Sequence, residues 1–380
     1  MKTLFSLLMV SVMIMGLPKM NYAQGEAAVP FLLLAPDSRA GALGESGTGL
    51  ADNSAAIFWN PAGIAFLTGS ELSITHSNWL PAFNLDLFYD YLTYRTYIED
   101  ISGSVTASIT YMNFGEFIRT GPIDPTPIGK FRAFDAALTL GYATKLGTDW
   151  GIGGNFRIIH SRLSDKPTAE EQGSGVATSV SFDIAAMWRP STLNIFGAEF
   201  GNRFSVGANL SNLGPKITYI DQDQSDPIPT NFRLGFAFQI VSDEFNSLIY
   251  TLDFSKLLVS RDTTNQSDEF YEAIFTAWGD QPFSEELRDI VTSMGLEYWY
   301  GSPGDFLFAL RTGFFYEDPS FGNRKFYTFG AGIRYDIYGF DFSYLSSVES
   351  NHPLDDTLRF TVLIGWGSIP DQVRGFPRGI

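Results

Sequence analysis

From Glu71 to Trp366 the chain alternates apolar and polar residues in runs of about ten, each closed by a turn or a polar loop. Val105-Thr-Ala-Ser-Ile-Thr-Tyr111 and Phe232-Arg-Leu-Gly-Phe-Ala-Phe-Gln-Ile240 alternate almost without fault. Tyr327 to Tyr335 and Leu358 to Trp366 do the same, the last with one exception at Leu363. A period of two sends successive side chains to opposite faces of a strand. About fourteen such runs can be marked off, beginning near Leu72, Leu85, Val105, Phe134, Trp150, Thr178, Phe204, Phe232, Leu248, Met294, Phe306, Phe326, Phe340 and Leu358. Many span about nine to eleven residues, the length a tilted strand needs to cross a bilayer.

The two faces differ in kind. One carries Arg157, Asp183, Arg233, Asp253, Glu297, Arg311, Arg334, Asp341 and Arg359 among Gly, Ser and Thr, as a wet barrel lumen would. The other is aliphatic in mid-strand and often aromatic at the ends, with Tyr89, Tyr91, Trp150, Trp188, Trp299, Tyr335 and Trp366, the placement of interfacial aromatic girdles. Connections alternate between long and short. Trp79–Asn84 is a short exception among the long ones, and Pro190–Arg203 a long exception among the short ones. These features predict an all-β, 14-stranded antiparallel transmembrane β-barrel with short periplasmic turns and long outer loops. A soluble sandwich would alternate too, but has no need of such long strands, of girdles or of loop asymmetry.

Asp268 to Met294 breaks the pattern. Phe270, Ile274, Phe275 and Trp278 recur at helical spacing up to Gly279–Pro282, and Ser284 with Leu287, Ile290 and Val291 starts a second short helix. This predicts a helical insertion in the longest outer loop. It either packs its own small core or offers those four residues as an apolar platform for a partner, since long loops on a rigid scaffold commonly carry function.

Composition narrows the setting. Aromatics reach 15% and charged residues only 18%, against the quarter usual in soluble domains. Lys2, the apolar run Leu4–Leu17 and a cut after Ala23 read as a secretory leader of residues 1–23. There is no cysteine, which excludes disulfides, a lipid-modified cysteine and thiolate metal sites. A net charge of −17 argues against nucleic acid as a partner. His76, His160 and His352 lie apart, and no catalytic or nucleotide-binding motif is found. No enzyme activity, cofactor or metal is expected. Asp221-Gln-Asp-Gln-Ser-Asp226 opens like a calcium loop but has Asp226 at the glycine position and Phe232 at the closing acid. It reads as a solvated acidic loop, as do Asp165–Glu171 and Glu285–Asp289.

Residues 30–67, "PFLLLAPDSRAGALGESGTGLADNSAAIFWNPAGIAFL", resemble the N-terminal segment of the FadL-type outer-membrane barrels. In that family an Ala-Asp stretch and an Asn-Pro-Ala turn belong to a hatch inside a fourteen-stranded barrel. The resemblance implies a hatch over 24–70 marked by Asp52, Trp59, Asn60, Pro61, Ala62 and Gly63, a barrel over 71–366 and a periplasmic C-terminal tail over 367–380. Asp52, Asn53 or Ser54 would cap a short helix, Pro61 would stop it, and Gly63 would take a conformation that other residues resist. Ile57, Phe58 and Trp59 would face the barrel wall.

Pro30–Gly41, "NWLPAFNLDLFYDYL" (78–92) and "SITYMNFGEF" (108–117) are also similar to the PorV-like branch, the outer-membrane shuttles of the Bacteroidetes type IX secretion system. That likeness implies no enzyme. It implies a lipid-embedded cell outer-membrane protein that takes cargo bearing a C-terminal signal domain from the type IX translocon to a PorU-type surface attachment complex. Gly63 stands where those sequences carry Lys. A PorQ-like paralogue, or a channel for fatty acids or other hydrophobic substrates, therefore stays open as the alternative.

Overall fold

Fourteen antiparallel strands close on themselves into one barrel. The structure is a computed structural model and describes residues 27–367 apart from 121–123, 125, 165–173, 220–224, 261–266, 303–304 and 351. The leader, Asp165–Glu171, most of Asp221–Asp226 and the tail beyond Gly367 lie outside the described residues.

The strands are β1 (Ser70–Asn78), β2 (Phe88–Ile98), β3 (Gly103–Thr120), β4 (Pro127–Leu146), β5 (Trp150–Arg162), β6 (Val176–Trp188) and β7 (Phe204–Leu213). They continue as β8 (Asn231–Ser242), β9 (Asn246–Leu257), β10 (Val291–Tyr300), β11 (Leu307–Tyr316), β12 (Lys325–Tyr335), β13 (Tyr338–Ser347) and β14 (Thr357–Trp366). Each pairs with its neighbours in sequence. β1 meets β14 from Ser70↔Trp366 to Ser77↔Arg359, so no sheet edge is left at the seam.

The alternation sorts side chains as the period demands, except that Tyr89, Tyr91 and Trp299, read as outward girdle residues, fall on the inward register and are buried. Ile74, Ile109, Leu140, Ile184, Leu310 and Val362 sit in mid-strand and stand exposed on the outer wall. An apolar belt of that extent is what lipid tails cover. The inward set, with Arg157, Asp183, Asp253, Glu297, Arg311, Asp341 and Arg359, is buried. The lumen is therefore not the wet, mixed-charge channel expected from the pattern: residues 30–67 fill it.

Several boundaries move. β4 begins at Pro127 rather than near Phe134, because residues read as loop continue the ladder, with Glu116↔Arg132 and Phe117↔Phe131 paired beyond a bulge at Asn113/Glu116. β2 begins at Phe88 rather than Leu85. Two short helices, α1 (Ser38–Gly41) and α2 (Ala56–Trp59), belong to the lumen segment, and in the loop 258–290 the helices are α3 (Phe270–Thr276) and α4 (Phe283–Arg288). The second is shorter than its spacing suggested, since Val291 already belongs to β10. Connections 99–102, 147–149, 243–245, 301–306 and 336–337 lie at one end, together with the longer 189–203. The opposite end carries 79–87, 121–126, 163–175, 214–230, 258–290, 317–324 and 348–356.

Candidate functional site

The segment in the lumen is pinned by its own side chains. Asp37 accepts a hydrogen bond from Ala40 N at 3.0 Å, capping the short turn Ser38–Gly41. Its other oxygen accepts the Trp59 indole N–H at 2.7 Å. The Arg233 guanidinium lies over both rings of the pair, 4.7 Å from Phe58 and 5.2 Å from Trp59. Asn60 does three jobs: Oδ1 accepts from Ala62 N at 3.1 Å, while Nδ2 donates to Thr48 O at 3.3 Å and to the wall at Ala186 O at 3.1 Å. Asn60 is extended, with φ −162°, so the preceding helix Ala56–Trp59 stops there, as the following proline requires.

Two expectations need correction. Neither Asp52, Asn53 nor Ser54 caps that helix; its N-cap is Ala55, without a side-chain bond. Asp52 is taken by Arg39, and Ser54 N donates to Glu71 on β1 at 2.7 Å. Gly63 is not in the left-handed region. It is needed because a Cβ there would meet the Ala51 carbonyl oxygen and lie 2.6 Å from Ala51 Cβ.

The wall meets this segment with charge and with bare backbone. Six side chains alternate in sign from the segment into the strands. Asp52 takes Arg39 at 2.5 Å, Arg39 takes Glu297 at 2.6 Å, and Glu297 takes Arg311 at 2.6 Å. Arg311 then takes Asp341 at 2.8 Å, and Asp341 takes Arg334 at 2.5 Å. The Glu297 and Arg311 side chains are 0% exposed. The chain of charges is neutral overall and mutually hydrogen-bonded, the condition under which buried charge is tolerated. Asp253 accepts the N–H groups of Gly47 and Thr48 at 2.9 and 2.7 Å. Arg189 donates to the Leu50 carbonyl, and Ser205, Asn209 and Thr328 donate to the segment's carbonyls as well.

Glycines on the inward register let the two backbones touch. A Cβ on Gly153 would sit 2.7 Å from Ala62 N, and one on Gly295 would sit 2.6 Å from Leu43 Cβ. Gly207, Gly235, Gly313 and Gly330 are crowded in the same way. Three cavities among the described residues, two of them lined by the segment, hold about 10, 10 and 20 Å³, far below the volume of a ligand site. All six marker residues, Asp52, Trp59, Asn60, Pro61, Ala62 and Gly63, are thus brought together inside the barrel and buried. The sequence reading did not find Arg39, the hatch's own cation, nor the glycine ring. Gly at alternate inward positions was the available signal.

At the long-loop end, α3 and α4 are tied down by polar bonds. Lys256 Nζ, near the end of β9, holds Glu286 at 2.8 Å and Asp289 at 2.5 Å and lies 5.7 Å from the Trp278 ring, so within Glu285–Asp289 these two acids are buried partners and not part of a solvated face. Burial pushes the Asp289 carboxyl above its ordinary value, against the pull of Lys256. Lys216 donates to Ser267 O at 2.5 Å. Arg288 pairs with Asp318 at 2.9 Å, and that hydrogen bond holds the Asp318 carboxyl below the usual range. Ala273 and Ala277 form the buried face of α3.

The opposite face is apolar and bare. Of the four residues chosen from sequence, Phe275 is 78% exposed and Trp278 46%, whereas Phe270 and Ile274 are half-buried. Tyr271, Phe283 and Leu287 of the same two helices are exposed as well. His76 and His160 are strand residues bonded to Asp90 and Thr178.

Residues 20–264 match the model of the family described as "Type IX secretion system protein PorV". No curated protein matches the chain. Similar solved structures include a Pseudomonas aeruginosa FadL homologue, 11% identical, covering 87% of this chain and 97% of that one at a TM-score of 0.48. The P. putida toluene transporter TodX is 11% identical over 87% and 96% of the two chains, also at 0.48. The CymD monoaromatic hydrocarbon channel is 9% identical over 87% and 96%, at 0.49.

Proposed function

The chain belongs to the family of the type IX secretion system protein PorV, and from that premise we propose that it is a shuttle and adaptor for secreted cargo. It is an outer-membrane β-barrel of a transport family. In the reading we favour, its long-loop end faces outward and binds the C-terminal signal domain of cargo leaving the translocon. It then delivers that cargo to the surface attachment complex, where a signal peptidase of PorU type acts.

The observation that carries this reading is the pairing of a sealed lumen with an apolar patch at the outer end. A barrel whose interior is occupied by its own hydrogen-bonded chain offers its loops, not its bore, to a partner. Phe275, Trp278, Tyr271, Phe283 and Leu287 are large apolar groups held out on a loop that Lys256 and Arg288 keep in place. Aromatic anchors on a rigid support are the usual centre of a protein interface. A channel for hydrophobic substrates would need this hatch to move, or a gap to open in the wall, before any continuous apolar path existed. Deletion of the gene should leave signal-bearing cargo in the periplasm or unprocessed. Normal surface display of all such cargo in the deletion strain would overturn the proposal.

A further inference from the structure

The connection 189–203 is the long one among the short turns, and no part of the cargo reading uses it. At its tip Asn194 pairs with Glu199 and Ile195 with Ala198. The turn is closed by Phe196 and Gly197, both at positive φ, 51° and 83°. A two-residue hairpin turn of this kind favours Asn-Gly, because a larger side chain is crowded in the left-handed region. Phe196 nevertheless stands there and is 105% exposed, so no packing within the chain offsets the strain. The turn is well held. Glu199 accepts from Leu193 N and Gly201 N, each at 2.7 Å, and Asn194 accepts from Gly197 N at 3.1 Å. Ser191 N donates to Asp149 in the adjacent turn at 3.1 Å.

The base of the hairpin shows where it lies. Phe200 packs on Phe238 with ring centroids 5.6 Å apart. Phe238 belongs to the outward register of β8, opposite in sense to the buried Arg233, Gly235 and Gln239. Along the same rim Trp150 meets Trp188 at 6.2 Å, Trp188 meets Phe204 at 6.3 Å, and Phe204 meets Phe236 at 6.5 Å. Such a band of outward aromatics marks the level of the lipid headgroups.

We propose that the hairpin 189–203 is a membrane foot: it extends the girdle sideways and places Phe196 in the interfacial layer of the inner leaflet. Continuity with the lipid-facing band selects a lipid surface as the occupant. Phe-Gly-Ala at the tip carries no charge to oppose entry, and an aromatic ring is the side chain this layer favours.

The chain has no native cysteine, so one can be introduced for labelling. The full-length protein with Phe196→Cys, and separately with Glu244→Cys in the neighbouring short turn, would be spin-labelled. Both would be reconstituted in vesicles of phosphatidylethanolamine and phosphatidylglycerol. The label at 196 should collide more often with oxygen than with a water-soluble nickel complex, and the label at 244 should show the reverse. A label at 196 as open to nickel as the one at 244 overturns the proposal. So does a label at 196 shielded from both reagents, which would mean packing against protein. A label at 196 that is aqueous in vesicles and becomes immobilised only on adding periplasmic proteins would assign the tip to a protein partner instead.

Discussion

Replacing Arg39 by Met should unlatch the hatch while leaving the barrel standing. Arg39 is the one residue that ties Asp52, on the hatch, to Glu297, on the wall, with contacts of 2.5 and 2.6 Å. Its loss does not strand both acids equally, since Glu297 keeps Arg311 at 2.6 Å. Asp52 is left buried without its guanidinium. Removing one partner of a buried pair costs about 3–5 kcal/mol, and the retained Arg311 places this case at the low end, about 3 kcal/mol. At 1.4 kcal/mol per tenfold, the open fraction of the hatch rises roughly a hundredfold.

Ser46 lies in the hatch, fully buried, so a Ser46→Cys background reports opening through the rate of maleimide labelling. The rate should rise roughly a hundredfold with Arg39→Met, and adding Asp52→Asn should recover most of it by neutralising the stranded acid. Heat-modifiable migration on a gel would confirm that each barrel is folded. Labelling of the Arg39→Met protein at the parent rate would refute the idea that these charges hold the segment in the lumen.

Gly153→Ala should destabilise the hatch by about 1–3 kcal/mol, because its Cβ would press 2.7 Å from Ala62 N and Pro61 C; a thermal midpoint equal to the parent's would show that the wall can yield there. Phe275→Asp, at a position 78% exposed, should leave folding unchanged and weaken cargo binding by about 2 kcal/mol, roughly thirtyfold. Unaltered affinity for a purified signal domain would remove the patch from the proposed interface. The Asp318 carboxyl is held low by its bond to Arg288. The stabilisation is therefore complete above the ordinary carboxylate value and is lost only as pH falls through the lowered one. Amide-exchange protection over 283–288, taken relative to the pH-dependent intrinsic exchange rate, should be the same at about pH 5 as at neutrality, and weaker protection already at that pH would contradict the assignment.

The strands were legible because each obeys one local rule. Their number and most of their starts follow from the period of two, whose inward set is buried and outward set exposed, although aromatic character alone, which suggests a girdle, puts Tyr89, Tyr91 and Trp299 on the wrong face. The rule failed where local composition argued for a loop. Gly115, Pro125, Pro127 and Gly129 crowd the sequence from 115 to 130, yet Phe117↔Phe131 and Glu116↔Arg132 pair within it, and only the ladder supplies that information. Helical spacing found α3, but not which side it buries. Ala273 and, just past the helix end, Ala277 form the buried side, and helical geometry then turns Phe275 outward. Ion pairs between Arg39 and Glu297, 258 positions apart, have no local signature at all.

The lumen shows why the pattern misled. A water-filled bore and a bore filled by chain both call for polar residues at inward positions, so alternation alone cannot separate them. Glycine can. Water packs against serine or threonine as well as against a bare Cα, whereas a backbone at contact distance excludes the Cβ. Gly207, Gly235, Gly295 and Gly313 fall on inward positions of four strands, and each faces hatch atoms that a Cβ would strike. The hatch answers with glycines of its own: Gly49 lies against Phe236 and Gly44 against Phe314. Paired small residues on segment and wall therefore encode the seal. The charges then set its register, since Arg39 can reach Asp52 and Glu297 together only when the segment is seated.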